Sequence, residues 1–303
     1  MQNDQIKPCL SDFQSELSRE QWHHEREVHR ARVAPWTGDR VHRAGVAEKH
    51  PVFDFLFTYY PFRPAHLLRW TPGVNVLLVD AKKQELDWPE DFKACDGGFY
   101  IPVGSFPNHR HDYLAWALRY LEATTTRPAT FNCYGLHEWA MLYHESKPRH
   151  SQVPLRLSPQ EIAQVIESLE LRCSHYDAYR FFTPEAKPLN RLALSRHSTT
   201  ENDQPGCIHV TMDLYKFAHK IAPWCPSDLM ADTFILAADA RLVDMRASPY
   251  DLRQYGLESI KIEEPNGRAD YIAQQYALAD RARPLRARLI SLYSYLFERL
   301  TKA

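Results

Sequence analysis

Aromatic residues, histidines and acids crowd into five stretches of this chain. They run from His50 to Arg63 (HPVFDFLFTYYPFR), Phe131 to His144 (FNCYGLHEWAMLYH), His175 to Glu185 (HYDAYRFFTPE), Gln204 to Lys220 (QPGCIHVTMDLYKFAHK) and Asp244 to Leu252 (DMRASPYDL). A purely structural core would repeat Leu, Ile, Val and Ala. These stretches mix flat apolar faces with titratable groups, the chemistry of a pocket that stacks and polarises a ring-shaped ligand. Tyr59, Tyr60 and Arg63 offer stacking surfaces and a fixed positive fork.

Within these stretches the spacing suggests specific groupings. Cys133 and His137 lie four residues apart, the spacing of one helix face, although Gly135 stands between them. A buried, inert thiol accounts for Cys133 better than a nucleophile does. His137 and Glu138 suit an acid/base pair or an anchor for a ring. On a strand, His175 and Asp177 would share a face, and with His197 or His209 they would form two imidazoles and one carboxylate. Such a set holds ferrous iron, and zinc also accepts these ligands, so a divalent metal is one expectation. The plainer alternative is an Asp177–Arg180 pair. Asp213, followed by Tyr215 and Lys216, and Asp244 read either as helix-terminus acids or as carboxylates directed into the pocket. His111-Asp112 resembles the HD pair of helical metal phosphohydrolases, but polar neighbours surround it where that family packs apolar residues.

Other chemistries are disfavoured. The sequence contains no GxxxxGK[ST], GxGxxG or GxSxG, and only ten glycines in 303 residues. Six scattered cysteines without a CxxC pair read as reduced thiols. Lys+Arg (37) and Asp+Glu (38) nearly cancel, so DNA binding would need a local basic patch. The arginine ladder Arg281, Arg283, Arg286 and Arg288 is the stripe best suited to phosphates, and equally a solvated helix face. No apolar run approaches the roughly 18 residues of a membrane span, nor does the N-terminus resemble a secretory signal. A cytoplasmic protein with no membrane partner is expected.

The elements that must position these groups read as mainly α, a helical domain with a minor β element. Residues 1–49 form a polar helical extension with Ser11 as N-cap, and 50–303 a single domain holding the pocket. Pro51 to Tyr60 suits a buried helix ended by Pro61. Val74 to Val79 and Phe99 to Val103 are strand candidates. Leu114, Ala117, Leu118 and Leu121 stripe one helix, and Ser158-Pro159 starts another. Glu170 to Phe182 alternates as an extended segment, and Ser195 to Gly206 reads as a polar loop. Helices follow: one capped by Ser227 and running to Met245, a short one from Ser248-Pro249 to Gly256, and two last ones separated by Pro284.

From His50 to Leu252 the chain resembles a bacterial family that bears the label 3-methyladenine DNA glycosylase. The residues that carry the resemblance are HPVFDFLFTYYPFRPAHLLRW, GLHEWAM, HYDAYRFFTPEAKPLN, QPGCIHVTMDLYKFAHK and DMRASPYDL. It implies hydrolysis of the N-glycosidic bond of an alkylated purine taken out of the DNA stack. It hands stacking to Tyr59, Tyr60, Tyr179 and Phe181, the carboxylate to Asp177 or Asp213, and pocket donors to His137 and Glu138. A cationic purine among aromatic rings is favoured by cation–π attraction.

Overall fold

The computed structural model describes residues 13–42, 52, 54–60, 62–145 and 152–302. Ser11, Pro51 and Pro61 lie outside them. The described chain is mainly α-helical with one small sheet. In chain order it begins with β1 (Ser15–Leu17), α1 (Arg19–His42), α2 (Phe55–Tyr59), α3 (Pro64–Leu67), β2 (Val76–Val79), β3 (Lys93–Cys95) and β4 (Gly98–Tyr100). Then come α4 (His111–Thr126), α5 (Leu136–Ala140), α6 (Pro159–Ser168), α7 (Tyr176–Tyr179), α8 (Thr199–Asn202), α9 (Ile208–Lys220), α10 (Ser227–Arg246) and α11 (Pro265–Thr301). The sheet order is β1-β2-β4-β3, with β1 parallel to β2 and the other pairs antiparallel.

The two central helices are α9 and α10, packed along each other, with α11 laid across both and reaching α4. Nearly every residue of α9 from Ile208 to Ala218 is buried, as are Leu229, Phe234, Leu236, Ala237, Ala240, Val243 and Met245 of α10. A helix apolar around its whole circumference must be covered all round. The few polar residues on such helices therefore have nowhere to go but inward. α1 packs against α3 and α10, burying Trp22 and Val33, and the Trp22 indole N–H donates to the Val79 carbonyl at 3.1 Å. No helix among the described residues is long and apolar enough to cross a membrane.

Several elements differ from their sequence expectations. Glu170–Phe182 is not extended: Leu171 makes a single bridge to Asn190, and the chain then turns into α7. The Asn190 side chain fixes this bend, accepting from the Cys173 N–H at 2.8 Å and donating to the Cys173 carbonyl at 3.0 Å. The last two helices are one, since Pro284 lies inside the 37-residue α11. An internal proline costs a hydrogen bond, but buried Leu278 and Ala282 before it and Leu289 after it hold both halves in line. Ser227 is the first residue of α10 rather than its cap, and its hydroxyl accepts the Thr71 N–H at 2.9 Å. The Ser158 start of α6 has the expected capping box with Glu161.

Candidate active site

Three buried helices bring polar side chains to one place. On α9, His209 and Asp213 are four residues apart and share a face. On α10, Arg241 and Asp244 are three apart and joined by a 2.8 Å hydrogen bond from the guanidinium. The short α5 contributes His137 and Glu138, and it starts at Gly135, whose φ of 71° is a left-handed conformation that glycine adopts freely. A second glycine permits the close approach behind α9. A Cβ on Gly206 would sit 2.6 Å from the Thr130 carbonyl oxygen, and the Gln204 side chain ties the same segments together by accepting from Thr130 N–H and Gly206 N–H.

His137, Glu138, Arg241 and Asp244 form one half of the cluster. His137 Nε2 lies 2.6 Å from Asp244 Oδ1, and Arg241 donates to Asp244 Oδ2 at 2.8 Å and to Glu138 Oε1 at 2.6 Å. The Arg241 guanidinium also covers the Phe55 ring at 3.7 Å. All four side chains are buried. Burial opposes protonation of His137, yet the charge and hydrogen bond of Asp244 hold its pKa well above the ordinary histidine value. Burial likewise opposes ionisation of Asp244, and His137 and Arg241 overcome it, lowering its pKa. Two carboxylates are thus met by a guanidinium and an imidazolium.

The other half is built on Asp203, His175 and Asp213. His175 Nδ1 lies 3.1–3.2 Å from the two Asp203 oxygens, and the Tyr120 hydroxyl donates to Asp203 at 2.6 Å. His175 Nε2 is buried without a hydrogen-bond partner, 3.9 Å from Asp213 Oδ2. Asp213 accepts from the Tyr60 hydroxyl at 2.6 Å and is ion-paired with Lys216. Burial opposes the charge on Asp213, but Lys216 and His175 outweigh it and its pKa falls. His175 moves upward, burial being overcome by Asp203. The Lys216 side chain is 24% exposed, so the buried Asp213 carboxylate is one side chain from solvent.

His209 joins the halves. Its ring stands edge-on to His137, with centroids 4.4 Å apart, and lies parallel to His175 at 5.2 Å. Burial, followed by the charges of its neighbours, pushes its pKa well below the ordinary value, so it is neutral. His137, His209 and Asp244 each offer one ligand atom within 4.8 Å of the others. Beside them runs a crevice lined by Cys133, His137, His209, Tyr271 and Gln275, with a volume of about 10 Å³, room for one water-sized body.

The remaining expected residues sort by place. Asp177 is at the surface, paired with Arg180 at 3.2 Å, and the expected His175, Asp177, His209 set is not assembled. His175 is the extended residue just before α7 and Asp177 lies in the helix's first turn, so the strand alternation that would put them on one face is broken between them. The Arg180 guanidinium covers Phe181 at 4.4 Å, and Tyr179 packs on Phe182 at 5.2 Å. Tyr60 (3% exposed) and Tyr215 (0%) are core residues with no face open to a ligand. Tyr59 is half-buried, stacked on Phe55 at 5.0 Å, with its hydroxyl buried and unpartnered. Arg63 is exposed at the start of α3. Of the arginine ladder, Arg281 pairs with Asp239, Arg283 with Asp280 and Arg288 with Asp228 and Asp232, whereas Arg286 is buried.

Asp203 and Arg241 were not singled out from the sequence. Asp203 is hidden in a polar run that ends in Pro205-Gly206, where an acid is ordinary. Arg241 left a usable signal, as the lone basic residue between Leu229 and Met245 on a helix that is otherwise apolar or acidic. No protein-family model, curated protein or solved structure matches the chain.

Proposed function

We propose that this protein is a hydrolase of N-glycosidic bonds, with Asp213 and His175 as its reacting pair. One observation carries the reaction type. A histidine held by a carboxylate on one nitrogen presents its other, unpartnered nitrogen toward a second buried carboxylate 3.9 Å away. That gap suits a water molecule or a substrate atom rather than a direct contact. The substrate class, an alkylated purine in DNA, rests on the resemblance of the chain from His50 to Leu252.

The charges suit bond cleavage with a positive sugar and an electron-rich leaving ring. Lys216 and Tyr60 keep Asp213 ionised, and a fixed carboxylate stabilises a developing oxocarbenium ion without reorganising. His175 donates a hydrogen bond through Nε2–H to the departing ring as the glycosidic electron pair collects there. Water adds its oxygen to the sugar carbon, and its proton leaves by way of Asp213. Such a buried pair is reached only by a base turned out of the duplex.

The test is release of free base from methylated duplex DNA by excess enzyme, comparing the wild type with Asp213→Asn and Asp203→Asn. Loss of roughly 10²–10⁴ in rate is expected for Asp213→Asn, the range of a catalytic acid or base. Asp203→Asn, whose side chain hydrogen-bonds His175 and Tyr120, is expected to fall less. An Asp213→Asn rate within threefold of wild type would remove the pair from the chemistry. No release by the wild type would remove the substrate class.

A further inference from the structure

We propose that His137, His209 and Asp244 are the ligands of one divalent transition-metal ion, zinc(II) or iron(II). This goes beyond the hydrolytic pair, because none of the three residues belongs to it. Two imidazoles and one carboxylate with their ligand atoms within 4.8 Å of one another are the donor set that borderline ions prefer. The site is carried by three helices rather than loops, and each ligand is buried.

The surroundings match those of a metal centre. Ligand carboxylates and imidazoles are normally held from behind by further hydrogen bonds. Arg241 holds Asp244 through Oδ2, leaving Oδ1 directed at His137. Cys133 Sγ lies 3.8 Å from His137 Nδ1, so Nε2 is the nitrogen on the ligand side. Three protein ligands leave a fourth position open, as in catalytic zinc sites. The adjacent crevice of about 10 Å³ accommodates one water, and two of its walls carry unsatisfied polar atoms, the Tyr271 hydroxyl and Gln275 Oε1. A metal-bound water donating to Gln275 Oε1 and accepting from Tyr271 satisfies both.

Binding rearranges one contact. The hydrogen bond between His137 Nε2 and Asp244 Oδ1 is replaced by two bonds to the ion, and the proton held between them leaves to solvent. Arg241 and Glu138 retain their contact with each other, so the hydrogen bond that holds Asp244 from behind survives the exchange.

The experiment uses the untagged full chain, stripped with chelator and titrated with Zn²⁺ and, separately, Co²⁺ as a spectroscopic stand-in. Expected are one ion per chain and cobalt bands of a nitrogen and oxygen site, without thiolate-to-metal charge transfer. His209→Gln, whose side chain makes no ion pair among the described residues, is expected to weaken binding about a hundredfold or more, beyond what losing a hydrogen bond behind a ligand typically costs. Near-ultraviolet circular dichroism of that variant checks its fold. Failure of the wild type to bind stoichiometric metal would overturn the proposal. So would a thiolate band, which places Cys133 or Cys207 in the coordination sphere. A folded His209→Gln that binds like the wild type would also overturn it. Base release plays no part in this readout, so the two proposals fail separately.

Discussion

Replacing Arg241 with methionine removes the guanidinium that serves two buried carboxylates at once. Arg241 lies 2.6 Å from Glu138 and 2.8 Å from Asp244. At an effective dielectric of about 20, each contact attracts by roughly 6 kcal/mol, most of it offset by taking three ions out of water. The net value of the cluster is therefore small, but the cost of breaking it is not. Without the cation, Glu138 and Asp244 repel each other in an apolar surrounding, where breaking a buried pair costs about 3–5 kcal/mol. Because one guanidinium holds two acids, Arg241→Met should fall at the upper end, about 4–5 kcal/mol. The lost contact with Phe55 adds to the effect, whereas the apolar methionine limits the cavity. Urea denaturation followed by tryptophan fluorescence, with chelator present so that no metal contributes, measures it. Adding Glu138→Gln to Arg241→Met removes one of the two repelling charges and should restore about 1–2 kcal/mol. A loss below about 1 kcal/mol, or a double variant no more stable than Arg241→Met alone, would refute the electrostatic account.

Three further outcomes are expected. His219 is stacked on Phe62 at 3.6 Å, and burial, reinforced by His66, lowers its pKa to about 4. The unfolded chain binds this proton near pH 6.5 and the native chain near 4, so stability is full above about 6.5 and is lost as pH falls toward 4, by about 2–3 kcal/mol. His219→Phe should lessen the acid sensitivity of the urea midpoint, and an unchanged slope would count against it. Arg286 is 3% exposed with Nε and Nη2 unpartnered; Arg286→Met should stabilise the fold by about 1–3 kcal/mol, and a lower melting temperature would contradict this. Gly206→Ala forces a Cβ to 2.6 Å from the Thr130 carbonyl oxygen. It should cost about 1–3 kcal/mol, and an unchanged unfolding midpoint would show that the backbone gives way without strain.

Some of the candidate site was legible in the residues themselves. His137, Glu138, His175, His209 and Asp213 attract notice because titratable groups are rare among so many aromatic and aliphatic neighbours. Asp177 stood out equally and lies at the surface, because the sequence reads as a strand where the chain forms a single helical turn. Tyr60 and Tyr215 show a different ambiguity. An aromatic ring next to polar residues packs as readily into a core as against a ligand, and these two are packed against each other and Phe62.

The mainly helical class, a minor β element, the Ser158 helix start and the residues polar enough to be costly in a core are legible in the local sequence. Those properties follow from periodicity, capping and hydropathy, which act over a few residues. Which of those costly residues meet is a property of the packed fold. Asp203 reaches His175 across 28 positions, Asp244 reaches His137 across 107, and Tyr60 reaches Asp213 across 153. Local propensity carries no information about such separations. They are set by how α5, α7, α9, α10 and the segments between them pack together, which brings a hydrogen-bonding partner to each of these buried carboxylates.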